Sequence, residues 1–169
     1  MGNHTGLKRG TVSRLFAILI LIALDQWTKS LAVTHLKGRA AVSLIRNILE
    51  LLYVENQGAA FGIMNGMRLI FVVLAPLVAI LLARILQKLP AAPRFRWFRL
   101  CCIFIIAGAL GNWIDRLRQG YVVDFIYFKP IDFPVFNVAD IYVTVSMAVL
   151  VILILFVYDD DTLSRIIKK

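Results

Sequence analysis

Two aspartates stand where a carboxylate is unexpected. Asp124 interrupts the aromatic and β-branched run YVVDFIYF, and Asp140 follows Asn137 by three residues at the mouth of the apolar run FPVFNVADIYVTVSMAVLVILILFVY. Residues three apart share a helical face, so this amide and acid enter the apolar run together. Neither aspartate has an obvious basic neighbour in sequence. The chain has no Ser-x-x-Lys or Gly-x-Ser-x-Gly arrangement that would supply a serine nucleophile. Its two histidines, His4 and His35, are too few and too far apart for a metal cluster. A carboxylate pair is the available chemistry.

The elements that must position this pair follow from composition. Of the 169 residues 60% are hydrophobic and 17% charged, and mean hydropathy is +0.81, far more apolar than a soluble domain. This describes one integral membrane domain over residues 1–169. Four runs are long enough to cross about 30 Å of hydrocarbon as helices: about 15–36, 69–89, 97–117 and 136–158. The first carries Asp25 and Lys29 and lacks a following small-x-small cleavage pattern, so it reads as a span rather than a removable signal peptide. The connections at about 37–68 and 118–135 are not simple linkers. VSLIRNILELLYVENQGAAFGI and RQGYVVDFIYFKPIDFPVF suggest short strands, and the first has room for a turn of helix. The expected fold is mainly α, a four-transmembrane-helix bundle carrying a small extracytoplasmic β-sheet. Tyr53, Phe61, Tyr121, Phe125, Tyr127, Phe128, Phe133 and Phe136 are expected to bring rings near the headgroups.

Net charge is +9. Nucleic acid is not the expected partner, because much of this charge flanks apolar runs, where it sets topology and meets anionic headgroups. The amino terminus (Lys8, Arg9, Arg14), the second connection (Arg84, Lys88, Arg94, Arg96, Arg99) and the tail (Arg165, Lys168, Lys169) fall on one side of a four-span chain. That side is expected to be cytoplasmic, although Lys37, Arg39, Arg46 and Arg68 moderate the bias. Adjacent Cys101 and Cys102 offer no framework of disulfides between distant segments.

Depth brings the polar groups together. At 1.5 Å per residue the first helix reaches Asp25 after about 15 Å and Lys29 after about 21 Å, and the third reaches Asn112 after about 20 Å and Arg116 after about 26 Å. The fourth helix runs the other way, so Asn137 and Asp140 lie near the same outer depth. Ionisable groups in hydrocarbon usually face the bundle interior with a partner. Simpler readings remain open for each one. Asp25 and Lys29 are suited to neutralise each other at i, i+4. Asp115 and Arg116 could be solvated at a helix end. Asn137 and Asp140 could be an ordinary helix cap, Asp124 could protect a sheet edge, and GALG at 108–111 could serve close helix packing. A small proton- or cation-coupled transporter using Asp25 is the rival function.

In their order, DQWTK (25–29), NQGAAFG (56–62), GALGNWIDR (108–116), VVDF (122–125) and FNVAD (136–140) closely resemble the lipoprotein signal peptidases, the type II signal peptidases of bacteria. The blocks extend from the first span to the fourth. The resemblance implies an aspartic endopeptidase of the bacterial inner membrane, acting near its extracytoplasmic side, with both termini in the cytoplasm. Its substrates would be diacylglyceryl-modified prolipoproteins, cut just before the lipidated cysteine. The family's catalytic pair falls on Asp124 and Asp140, and its supporting or substrate-binding positions fall on Asp25, Lys29, Asn56, Asn112, Arg116 and Asn137. A monomer among membrane lipids is expected, with no metal or organic cofactor.

Overall fold

The computed structural model describes residues 4–58 and 68–159, with side chains for 10–58 and 69–159. Phe61, the end of the NQGAAFG block and the basic tail at Arg165, Lys168 and Lys169 lie outside the described residues, as do the side chains of Lys8, Arg9 and Arg68. In order the chain forms α1 (His4–Leu36), β1 (Val42–Ile45), β2 (Leu49–Asn56), α2 (Arg68–Lys88), α3 (Arg96–Arg118), β3 (Val122–Phe128) and α4 (Val138–Phe156). Short 3-10 turns precede α3 and follow β3.

All four α-helices are long and apolar enough to cross a membrane. Helices suit these runs because each satisfies its own backbone N–H and C=O groups where lipid offers no partner. Pro76 lies inside α2 and cannot donate to the carbonyl four residues back. That carbonyl, of Val72, instead accepts from Trp113 Nε1 on α3 at 2.8 Å. A proline gap in one helix thus becomes a tie to its neighbour.

The central helix is α3, which packs on all three others. Half of its span is buried, against 22% for α1 and 11% for α2 and α4, so the other three turn most of their surface outward. Gly108 allows the tightest approach. A Cβ there would meet the Ala139 carbonyl oxygen at 2.5 Å and Val143 Cγ2 at 2.8 Å, which gives GALG its packing role. At one end of the bundle Ile18, Leu86, Phe98, Cys102, Ile106 and Leu153 form the main core. Cys101 and Cys102 are buried, free thiols within it. Arg14 Nη1 donates to the Leu86 carbonyl at 2.7 Å and Arg99 Nη1 to that of Pro90 at 2.7 Å. Arg14 thereby satisfies the negative end of α2, and Arg99 ties down the turn that follows it.

The other end carries the three strands, antiparallel in the order β1, β2, β3. Asn47, at φ 60°, turns the β1 to β2 connection, a left-handed position that Asn tolerates. In β2 and β3, Val54 pairs with Asp124 and Asn56 with Val122. Ala32, Leu36, Val123 and Phe125 form a second core beneath the sheet. Phe125 is therefore a core residue rather than an interfacial ring. The outer side of β3 is closed by Phe136, which exchanges backbone hydrogen bonds with Ile126. This closure delivers the chain to the start of α4 beside Asp124.

Candidate active site

Helix α4 begins with a reciprocal cap. Asn137 Oδ1 accepts from the Asp140 N–H at 3.0 Å, and Asp140 Oδ2 accepts from the Asn137 N–H at 3.1 Å. The simple capping reading of this pair is thus correct, but it leaves both side chains with capacity to spare. Asn137 Nδ2 donates to Asp124 Oδ1 at 2.6 Å and to Asn112 Oδ1 at 3.1 Å. Asn112 Nδ2 donates to Asp140 Oδ1 at 2.8 Å. Asn56 Nδ2, from the end of β2, donates to Asp124 Oδ2 at 2.8 Å. Each of the four carboxylate oxygens receives one N–H, and two amides link the two acids.

Asp124 is 2% exposed, so the edge-protecting reading fails. Burial, and secondly the neighbouring charge of Asp140, push its carboxyl from 3.8 up to about 7, against the donors Asn56 and Asn137. The acid is therefore divided between protonated and ionised forms near neutrality.

Both acids line a cavity of about 660 Å³ between α2, α3, α4 and β3. Its wall is largely apolar, with Leu74, Val78, Ile105 and Met147 on it and Phe133, Pro134 and Phe136 also lining it. Arg116 is the one cation among the described lining residues. Its Nη2 donates to the Gly58 carbonyl at 3.0 Å, its Nη1 reaches the Asn112 carbonyl at 3.4 Å, and its guanidinium lies 4.6 Å from the Phe71 ring centroid. Nε is buried and has no partner among the described residues. Gly58 is itself fixed, its N–H donating to Asn56 Oδ1 at 3.0 Å.

Asp25 and Lys29 are joined at 2.9 Å, as their spacing suggests. They lie behind the cavity wall rather than on it. Lys29 also pairs with Asp115 at 2.8 Å and donates to Asn112 Oδ1 at 2.8 Å. Asp115 is 5% exposed, which overturns the solvated helix-end reading for this residue. Gly111 makes room for Asp25, since a Cβ there would stand 2.6 Å from Asp25 Oδ2. All eight residues singled out in the sequence therefore belong to one connected set. Asp115, read from the sequence only as a solvated helix-end charge, and Gln26 join that set as well. Asp115 lies four residues after Gly111, so the two share a face of α3, but nothing in the sequence says that this face meets α1. Gln26 Nε2 donates to Asp115 Oδ1 at 2.8 Å, but neighbouring Asp25 in sequence does not by itself reveal that role.

Comparison with known proteins matches residues 17–156 to a family described as signal peptidase (SPase) II. A lipoprotein signal peptidase of Streptococcus thermophilus (strain LMG 18311) is 39% identical over 138 residues, covering 82% of this chain and 89% of that protein. One from Streptococcus pyogenes serotype M5 is 40% identical over 142 residues, covering 82% and 91%. Two solved structures described as bacterial membrane enzymes, determined by the in meso method at 2.3 and 1.9 Å resolution, each superpose with a TM-score of 0.75. They are 32% and 30% identical, cover 85% and 86% of this chain, and are themselves covered to 87% and 94%.

Proposed function

The chain belongs to the signal peptidase II family, and on that premise we propose that it is an intramembrane aspartic endopeptidase that removes the signal peptide from diacylglyceryl-modified prolipoproteins. The cut falls just before the lipidated cysteine. One observation carries the reading. Asp124 and Asp140 are the only carboxylates among the described residues lining the cavity, and Asn137 and Asn112 tie them into one unit.

Two carboxyls so close hold one proton between them near neutral pH, because ionising both is costly. The ionised member takes a proton from a water whose oxygen attacks the scissile carbonyl carbon. The protonated member donates to the carbonyl oxygen, giving a neutral diol. Collapse of the diol re-forms a C=O bond, breaks the C–N bond and returns a proton to the leaving amine. Arg116, with an N–H to spare, supports the substrate backbone, and the asparagines hold the acids in register. The apolar wall accepts the signal peptide beside the acids, while the diacylglyceryl group remains among the lipids.

In the membrane both termini and the connection from Arg84 to Arg99 face the cytoplasm. The sheet and both acids are at the opposite end, on the extracytoplasmic side. The transporter reading loses its residue, because Asp25 is 0% exposed and both its oxygens have partners. The test is a gel-shift assay of lipidated precursor with purified Asp124→Asn and Asp140→Asn. Loss of processing in both supports the reading, and near-normal processing by either removes it.

A further inference from the structure

Lys29 has three N–H groups and three acceptors: Asp25 Oδ2 at 2.9 Å, Asp115 Oδ2 at 2.8 Å and Asn112 Oδ1 at 2.8 Å. Each paired carboxylate also reaches outside its own helix to a backbone N–H. Asp25 Oδ1 accepts from Ala139 N at 3.0 Å, and Asp115 Oδ2 accepts, more weakly, from Val123 N at 3.4 Å. Ala139 immediately precedes Asp140, and Val123 immediately precedes Asp124. Gln26 Nε2 closes the ring, donating to Asp115 Oδ1 at 2.8 Å and Asp25 Oδ2 at 3.3 Å. The third acceptor, Asn112, turns its amide nitrogen the other way and donates one N–H to Asp140 Oδ1.

We propose that Lys29, Asp25 and Asp115 form a positioning clamp that sets the separation of Asp124 and Asp140. The clamp rests on the aspartic reading above. One arm runs from Lys29 through Asp25 to the backbone of α4, and the other through Asp115 to the backbone of β3. With Lys29 on its oxygen, the Asn112 amide is held with its N–H toward Asp140, and a flip would turn an acceptor onto that acid. The side chains of Asp25, Lys29 and Asp115 are 0%, 4% and 6% exposed. Three charges buried this deeply gain little net stability over apolar packing, but their hydrogen bonds restrict geometry closely. None of the three lines the cavity, so none is placed to touch the substrate.

The test is kcat and KM for lipidated precursor, expressed per folded enzyme, for Asp115→Asn and Lys29→Arg. Folded fraction is read from protection of the buried Cys102 thiol, which is 0% exposed. Asp115→Asn keeps shape and an acceptor for Val123 but loses the charge. Lys29→Arg keeps the charge but spreads its N–H groups over a planar fork. A misplacement of about 1 Å costs about a hundredfold in rate. The expected result is a fall in kcat of about ten- to a hundredfold in both variants, with KM within about twofold of wild type. Unchanged kcat per folded enzyme in either variant, or a rise in KM alone, overturns the clamp. If one variant does not fold, the other decides. Inactive Asp124→Asn and Asp140→Asn beside a normal Asp115→Asn would sink the clamp alone, whereas turnover by either aspartate variant would sink the reading beneath it.

Discussion

Replacing Asp124 by Asn should make the protein inactive yet more resistant to alkaline destabilisation. The rise of this carboxyl from 3.8 to about 7 means that the fold disfavours the ionised form by on the order of 4 kcal/mol. Its sign follows from the direction of the shift. A raised acid contributes its full stability below about 3.8 and loses it as pH climbs through about 7. The amide of Asp124→Asn does not titrate and carries no such loss. It does place one N–H against a donor, because both Asp124 oxygens accept from Asn137 and Asn56, and that mismatch costs about 1–3 kcal/mol at every pH. The variant is therefore close to wild type near pH 5, and its relative stability improves by on the order of 2 kcal/mol by pH 7. For a chain of this size that is about 4–8 °C in midpoint. Thermal unfolding followed by tryptophan emission from pH 5 to 8, beside precursor turnover, provides both readouts. Turnover should fall by about 10²–10⁴-fold, the usual scale of a general acid or base. A constant stability difference across this pH range, or preserved turnover, would refute the reasoning.

Asp140→Asn should likewise abolish turnover while still inserting in the membrane, since the Lys and Arg flanks that set topology are untouched. Asp132→Asn should process normally in the same gel-shift assay, because Asp132 is exposed, its carboxylate accepts from the Tyr127 hydroxyl away from the cavity, and it has a φ of 47° that Asn tolerates. Gly111→Ala should lower the thermal midpoint and turnover together, because its Cβ would press on Asp25 Oδ2 at 2.6 Å and such overpacking costs about 1–3 kcal/mol; a midpoint equal to wild type would contradict that. Unlipidated precursor should be cut far more slowly than lipidated precursor at matched concentration, since two acyl chains, at about 0.8 kcal/mol per buried methylene, hold the cysteine at the membrane surface; equal rates would count against it. A cysteine placed at exposed Gln119 should react with an impermeant reagent in intact cells, and reaction only after the membrane is opened would reverse the orientation.

The four helices were legible because apolar length alone demands them, and the strands because β-branched and aromatic residues cluster between turn residues. Depth counting also brought Asp25, Lys29, Asn112, Arg116, Asn137 and Asp140 to one level, where the structure joins them. What could not be read was the rotation of each helix about its axis. That rotation carries Asp115 inward onto Lys29 rather than outward to solvent. It also sets Trp113 opposite the Val72 carbonyl freed by Pro76. Sheet register was hidden for a related reason: a slip of one residue would turn Asp124 to the other face, and the pairing with Val54 depends on contacts distant in sequence. Phe125 misled because an aromatic ring suits the headgroup layer and a sub-sheet core equally well.

The central claim is that Asp124 and Asp140 direct water onto the scissile carbonyl without forming a bond to the substrate. Single-turnover cleavage of lipidated precursor in heavy-oxygen water, with mass analysis of the released signal peptide, tests it most directly. One heavy oxygen is expected in the new carboxylate within the first turnover, and no product from either Asp→Asn variant. A first-turnover carboxylate holding only ordinary oxygen would mean that an enzyme carboxylate had supplied the atom, and would contradict the claim.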